Sequence, residues 1–360
     1  KIYRIIILEV EKMNLLSSIS RNIYPLNKRC MDAAQERWNN LIHPKGSLGR
    51  VEDICVQMAG IYETEKFDIP KKAIIAFGAD HGVYEEGVAP NSQEITKIQF
   101  PNFAKGLCGV GALSRYAGAD MVAVDVGINC DEPLEGVIDR KIRKGTSNMA
   151  KGPAMTREEA VESIEIGIEI AEECIVKDYR IIGIGEMGIA NTTPSTAIIS
   201  VMTGKLPEEI TGSGSGLSRD KIKHKAQVIG KAIELNNPNP TDGIEVLEKI
   251  GGFEIGAMTG VIMGCAANRI PVVIDGYISY AAALIAYKIN PGTRDYLIAS
   301  HKSDEPGSDA ALELLKLNPI LNMNMRLGEG SGAALAFNVI DASVYAYNNM
   351  ATFEEVGMKI

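Results

Sequence analysis

Apolar positions in residues 14–64 recur at helical spacing, through Leu41, Leu48, Val51, Ile54 and Met58. A break at His43-Pro44-Lys45-Gly46-Ser47 predicts two helices there,. The pattern then changes to short β-branched runs that each end in glycine or a polar residue. These are AIIAFGAD (73–80), MVAVDVG (121–127), RIIGIGE (180–186), PVVIDG (271–276) and YLIAS (296–300). Helical stretches lie between them at 103–117, 157–176, 220–235 and 277–288. Alternating apolar strands and helices predict an α/β fold with a three-layer, mostly parallel sheet. The helices at 13–66 and 332–360 are expected to form a small helical domain beside a large α/β domain at 67–331, because no strand pattern flanks them. Neither internal repeats nor low-complexity segments interrupt this plan.

The strand ends carry the first chemical signal. Asp80, Asp125, Glu186, Asp275 and His301 stand at or just past predicted carboxyl ends. Ligand crevices of open α/β sheets are built at that edge, so most of these residues are expected to line one site.

Composition narrows the class. The chain has 360 residues, 46% hydrophobic and 23% charged, with net charge −9. That is a soluble globular composition, and it holds no basic face able to neutralise a nucleic acid backbone. The six cysteines include no CxxC pair. They read as reduced, mostly buried thiols of a cytoplasmic protein, neither a disulfide framework nor a zinc site. The opening KIYRIIILEVEK (1–12) is too short and too charged to span a membrane, and no small-residue cleavage pattern follows it,. It reads as an extension outside the functional chain.

Three loops carry candidate chemistry. Gly183-Ile-Gly185-Glu-Met-Gly188 is a literal GxGxxG after a strand, which would suggest a dinucleotide site and an oxidoreductase,. The acidic residue required about 20 positions on falls instead in LPEEI, with no strand before it, so the match is weak,. Its continuation, Glu186-Met187-Gly188-Ile189-Ala190-Asn191-Thr192-Thr193, says more. Glycines admit backbone N–H groups to an anion, and Asn and Thr can donate to its oxygens. With Thr211-Gly-Ser-Gly-Ser-Gly216 and Lys225, this loop reads as an anion cradle with one countercharge. Near the C-terminus Glu329 stands between Gly328 and Gly330, where a planar ligand could approach closely. From spacing alone Glu329 is equally a catalytic base or an exposed loop residue.

Long motifs settle the comparison with known sequences. GSLGRVED (46–53), GADHGV (78–83), VAPNSQEIT (88–96), GTSNMAKGPAM (145–155), GEMGIANTT (185–193), GGFEIGAM (251–258), PVVIDG (271–276), SHKSDEPG (300–307) and MRLGEGSGAALA (325–336) occur in this order. With them the chain resembles the nicotinate-nucleotide–dimethylbenzimidazole phosphoribosyltransferase family over essentially everything after residue 35. The resemblance implies a Rossmann-like sheet with a smaller helical domain, assembled as a homodimer or with a paralogous subunit. It implies transfer of phosphoribose from nicotinate mononucleotide to an aromatic base, a benzimidazole, purine or phenolic, on the way to a cobamide. No metal, redox cofactor, nucleic acid or membrane is expected to take part.

Carried over by motif, Glu329 matches the catalytic base. Glu186, Met187, Gly188, Asn191, Thr192, Lys225, Asp275, Gly276 and Ser303 match nucleotide- and phosphate-binding positions, and Asn91, Ser92, Gln99 and Leu327 match the base pocket. Family members often carry an arginine in the loop matching 211–216, threonine where Ser331 stands and histidine where Ser308 stands. The alternative from a different class is a catalytically silent subunit of a heteromer, against which the retention of Glu329, Lys225 and the 185–188 loop argues.

Overall fold

A computed structural model describes residues 15–358. The extension expected at 1–12 lies outside the described residues. Six parallel strands form one sheet in the order β3-β2-β1-β4-β5-β6. They are β1 (Lys72–Ala79), β2 (Ala119–Gly127), β3 (Ile138–Asp139), β4 (Ile181–Met187), β5 (Val272–Ile274) and β6 (Leu297–Ala299). Five of these are the five predicted runs. The sixth, β3, is a two-residue edge strand too short to leave a sequence pattern.

Both sheet faces are covered, as a parallel sheet requires. Ala73, Ile75 and Phe77 of β1 with Ile182 and Ile184 of β4 face one core, which takes in the helices Arg157–Val176, Phe253–Ala267 and Tyr277–Ile289. Ile74 and Ala76 of β1 with Ile181, Val273 and Ile298 face the other. That second core holds Trp38, Ile54 and Met58 from the N-terminal helices and Phe337, Ile340 and Tyr347 from the helix Ser331–Asn349. Helices from the two ends of the chain thus pack together on this face and share their core with the sheet, whereas Leu16 and Ile19, nearer the N-terminus, belong to the first core.

Several local expectations differ from what is observed. The N-terminal region is three helices, Leu15–Arg21, Lys28–Asn40 and Arg50–Tyr62, because Pro25 adds a break before Lys28,. Leu41 lies outside any helix, fully buried and bridged to Thr352, while Leu48 is a half-exposed turn residue. The stretch 103–117 splits into Pro101–Ala104 and Gly109–Tyr116, with Gly106 in the left-handed region (φ 68°) between them,. The helix Phe253–Ala267 has no polar face, so it shows no amphipathic period,. Among the described residues no helix is long and apolar enough to cross a membrane.

The GxGxxG match has a packing explanation. Gly183 and Gly185 lie inside β4, whereas the dinucleotide fingerprint belongs to a strand-to-helix turn,. Their α-carbons face the helix Ser331–Asn349 and the loop before it. A Cβ on Gly183 would sit 3.0 Å from the Ala333 Cβ, and one on Gly185 would sit 2.2 Å from the Glu329 carbonyl oxygen. We expect Gly185→Ala to cost about 1–3 kcal/mol through overpacking, more than Gly183→Ala, in urea unfolding. An unchanged midpoint for Gly185→Ala would remove the packing account.

Candidate active site

The strand order reverses between β1 and β4, and the principal cleft opens beyond their carboxyl ends, at the switch point of the fold,. It encloses about 280 Å³ and has two chemically different ends. Four strand exits build it. The end of β4 and the loop after it supply Glu186 to Thr192, the turn after β5 supplies Gly276 and Tyr277, the segment after β6 supplies His301, Ser303 and Glu305, and residues 88–99 close one side.

One end is a cationic cradle. The Lys225 ammonium is 1% exposed, and its Nζ donates to Thr192 Oγ1 at 2.6 Å. Burial pushes this lysine down to about 8, with the Glu305 carboxylate opposing the shift,. Gly214 N donates to Glu305 Oε1 at 3.0 Å, and Arg326 Nη1 donates to the Gly214 carbonyl at 2.8 Å. The 211–216 loop is therefore fastened from two sides, the second by an arginine outside it. Gly188 keeps the cradle close to β1, since a Cβ there would lie 2.3 Å from the Ala79 carbonyl. The helices Thr192–Thr203 and Tyr277–Ile289 both begin at this end, adding the positive ends of their dipoles,.

The other end is a slot of Val88, Ala89, Pro90, Ile95, Met187 and Leu327, edged by the amides of Asn91 and Gln99. Flat, mostly apolar walls with two amides suit an aromatic ring bearing polar edges.

Glu329 lies on the cleft wall, 8% exposed. Residues 328–330 all adopt left-handed φ angles, 82°, 68° and 94°. For Glu329, which has a side chain, such a backbone is disfavoured and must be held by its surroundings. Its Oε2 accepts from Val110 N at 3.3 Å, in the first turn of Gly109–Tyr116. The break at 105–108 gives that helix its own N-terminus there, which the single helix expected at 103–117 would not have had. Burial raises the Glu329 carboxyl above the ordinary glutamate range, opposed by the Val110 N–H,. Behind it, Glu186 accepts from Glu329 N at 3.3 Å and from Asn191 Nδ2. Burial, then the neighbouring charges of Glu254 and Asp275, push Glu186 up to about 8.

Of the residues singled out by sequence, Asn91, Gln99, Glu186, Met187, Gly188, Asn191, Thr192, Lys225, Gly276, Ser303, Leu327 and Glu329 all line this cleft. Two do not. Ser92 stands outside it, its Oγ accepting from Glu94 N at 3.3 Å. Asp275 is buried beneath the wall, both carboxylate oxygens occupied by the amides of Gly330 and Gly332. The expectation that most of the five strand-end residues share the site is corrected likewise. Glu186 and His301 reach it, whereas Asp80 holds Thr96 and Asn129 N, and Asp125 holds Gly127 N and Ile128 N. Glu305, Arg326 and Tyr277 belong to the lining and were not anticipated. For Glu305 the residues gave no signal, since His301 to Glu305 are all polar; the structure shows His301, Ser303 and Glu305 buried in alternation with Lys302 and Asp304, as in an extended segment with one buried side,.

Burial also pushes Asp275 up to about 7. In the free protein Glu186 then keeps a proton that the unfolded chain loses near the ordinary value of 4.5, so between that and its raised value the native state binds more protons and stability falls as pH rises,. We expect Glu186→Gln to gain melting temperature relative to the parent as pH goes from about 5.5 to about 8.5. A pH-independent difference would contradict the burial of an uncharged Glu186.

Comparison with known proteins agrees with this geometry. A family model described as phosphoribosyltransferase matches residues 23–358. The chain is 69% identical over 346 residues to the nicotinate-nucleotide–dimethylbenzimidazole phosphoribosyltransferase of Clostridioides difficile (strain 630), covering 96% of this chain and 99% of that one. It is 53% identical over 349 residues to the protein of that name from Alkaliphilus metalliredigens (strain QYMF), covering 97% and 100%. The crystal structure of the Thermus thermophilus protein of that name superposes with a TM-score of 0.87 at 34% identity, over 93% of this chain and 100% of that chain. The fold and a sequence match over nearly the whole length coincide, and the chain belongs to the nicotinate-nucleotide–dimethylbenzimidazole phosphoribosyltransferase family.

Proposed function

We propose that this enzyme transfers the 5-phosphoribosyl group of nicotinate mononucleotide to an aromatic base that becomes the lower ligand of a cobamide. The phosphate sits in the cradle of Lys225, Thr192, Ser303 and the Gly188 and Gly276 backbone, and the acceptor ring sits in the slot of Asn91, Gln99 and Leu327. A nucleophilic atom of the acceptor forms a bond to C1′ as the C1′–pyridinium bond breaks. That electron pair leaves with the neutral ring nitrogen, and the acceptor's proton passes to the Glu329 carboxylate. Attack opposite the leaving ring inverts C1′ and gives an α-ribotide. The leaving group is already activated by its positive charge, so the protein has to supply alignment and one base.

The observation that carries this reading is the place of Glu329. Its buried carboxylate, raised above the ordinary range, stands on the wall of a cleft with a cationic cradle at one end and an apolar slot at the other. Mixing the purified chain with nicotinate mononucleotide and a competing set of dimethylbenzimidazole, adenine, phenol and p-cresol tests it by mass spectrometry. A ribotide of any acceptor with release of nicotinate is the expected result. Folded protein that yields none with any acceptor would overturn it.

A further inference from the structure

Asp275 directly follows β5 beneath the cleft wall, 1% exposed. Its Oδ2 accepts from Gly330 N at 2.9 Å and its Oδ1 from Gly332 N at 2.7 Å. One carboxylate thus grips both sides of Ser331, starting at the residue directly after Glu329. No slack remains around this grip. A Cβ on Gly332 would lie 2.6 Å from Asp275 Oδ1, 2.5 Å from His301 Cδ2 and 2.8 Å from Ser300 Oγ. The imidazole of His301, also 1% exposed, packs beside the carboxylate, with Nε2 3.5 Å from Asp275 Oδ1 and no hydrogen bond between them.

Glu329 needs such a grip. Left-handed backbone at a residue with a side chain is disfavoured and persists only when the surroundings over-determine it. Glu186 holds the Glu329 amide on one side, and Asp275 holds the next two amides it can reach on the other. We infer that Asp275, packed beside His301, is a positioning residue that fixes the Glu329 carboxylate against the acceptor, and that it makes no contact with the nucleotide. This rests on the reaction proposed above.

The test is Asp275→Asn in the full chain, assayed with nicotinate mononucleotide and dimethylbenzimidazole. An amide cannot accept from both N–H groups, because one of its two positions is itself a donor. A loop displaced by about 1 Å costs roughly 100-fold in rate, so kcat should fall by about 10- to 100-fold with KM for the nucleotide nearly unchanged. In Glu329→Gln the same change should add little further loss, since both act through one group. A raised KM with kcat retained would make Asp275 a nucleotide ligand and overturn the inference, as would an unchanged kcat. If Asp275→Asn does not fold, His301→Gln decides, with a smaller fall in kcat at constant KM expected and no change overturning it. Hydrogen exchange of the amides at 328–332 needs no turnover. Faster exchange in Asp275→Asn supports the grip even if the parent proves inactive on every acceptor, an outcome that would refute the proposed reaction alone. Unchanged exchange refutes the grip.

Discussion

Glu329→Gln should lower kcat by about 10²- to 10⁴-fold, the range for a positioned general base, while nicotinate mononucleotide still binds. Glutamine keeps the length of the side chain and the acceptor that meets Val110 N, but cannot take a proton,. The cradle lies at the other end of the cleft, so the nucleotide should raise the variant's melting temperature as it does the parent's,. The parent's kcat should also decline in acid at a higher pH than an ordinary glutamate would give, because burial raises this carboxyl and only its ionised form accepts a proton. The variant should lack that limb. Single-turnover kinetics across pH with both proteins would decide, and a variant within about tenfold of the parent would exclude Glu329 as the base.

The second large effect is expected at Lys225. Its ammonium is buried, held by one hydroxyl and faced by Glu305. A phosphate dianion would give it the close counterion it lacks, returning it toward full protonation. Removing one partner of such a pair costs about 2–5 kcal/mol. Lys225→Met, of similar length, should therefore weaken nicotinate mononucleotide by about 30-fold or more, read by calorimetry. It should spare the binding of the free base, whose slot is lined by other residues. Nucleotide affinity within about threefold of the parent would move the phosphate elsewhere.

Arg326 shows how the structure changes the meaning of a sequence departure. The 211–216 loop has no arginine of its own, yet a guanidinium from the adjacent MRLGEG segment reaches the Gly214 carbonyl. The cradle is thus fastened by a residue more than a hundred positions away. Nothing in the residues around either segment could have paired them.

Patterning along the chain specifies the layered α/β plan and five of the six strands, while most of the cleft residues named in advance came from the motifs shared with the family. Strand apolarity and helical periodicity are local properties, and a parallel sheet places successive strand exits along one edge. Residues just past those exits must gather there, as Glu186, Gly276 and His301 do. The tertiary structure alone decided which exits point inward and which point back. Asp80, Asp125 and Asp275 stand at strand ends as Glu186 does, but Asp80 and Asp275 are claimed by groups of other loops and Asp125 by the amides of Gly127 and Ile128 just ahead of it. Those partners lie 2 to 57 residues away, and no period in the chain announces them. The role of Gly185 was likewise invisible until the Glu329 loop was seen lying across β4. Local free energies choose the elements, whereas a buried polar group takes whichever partner the packed layers bring within about 3 Å.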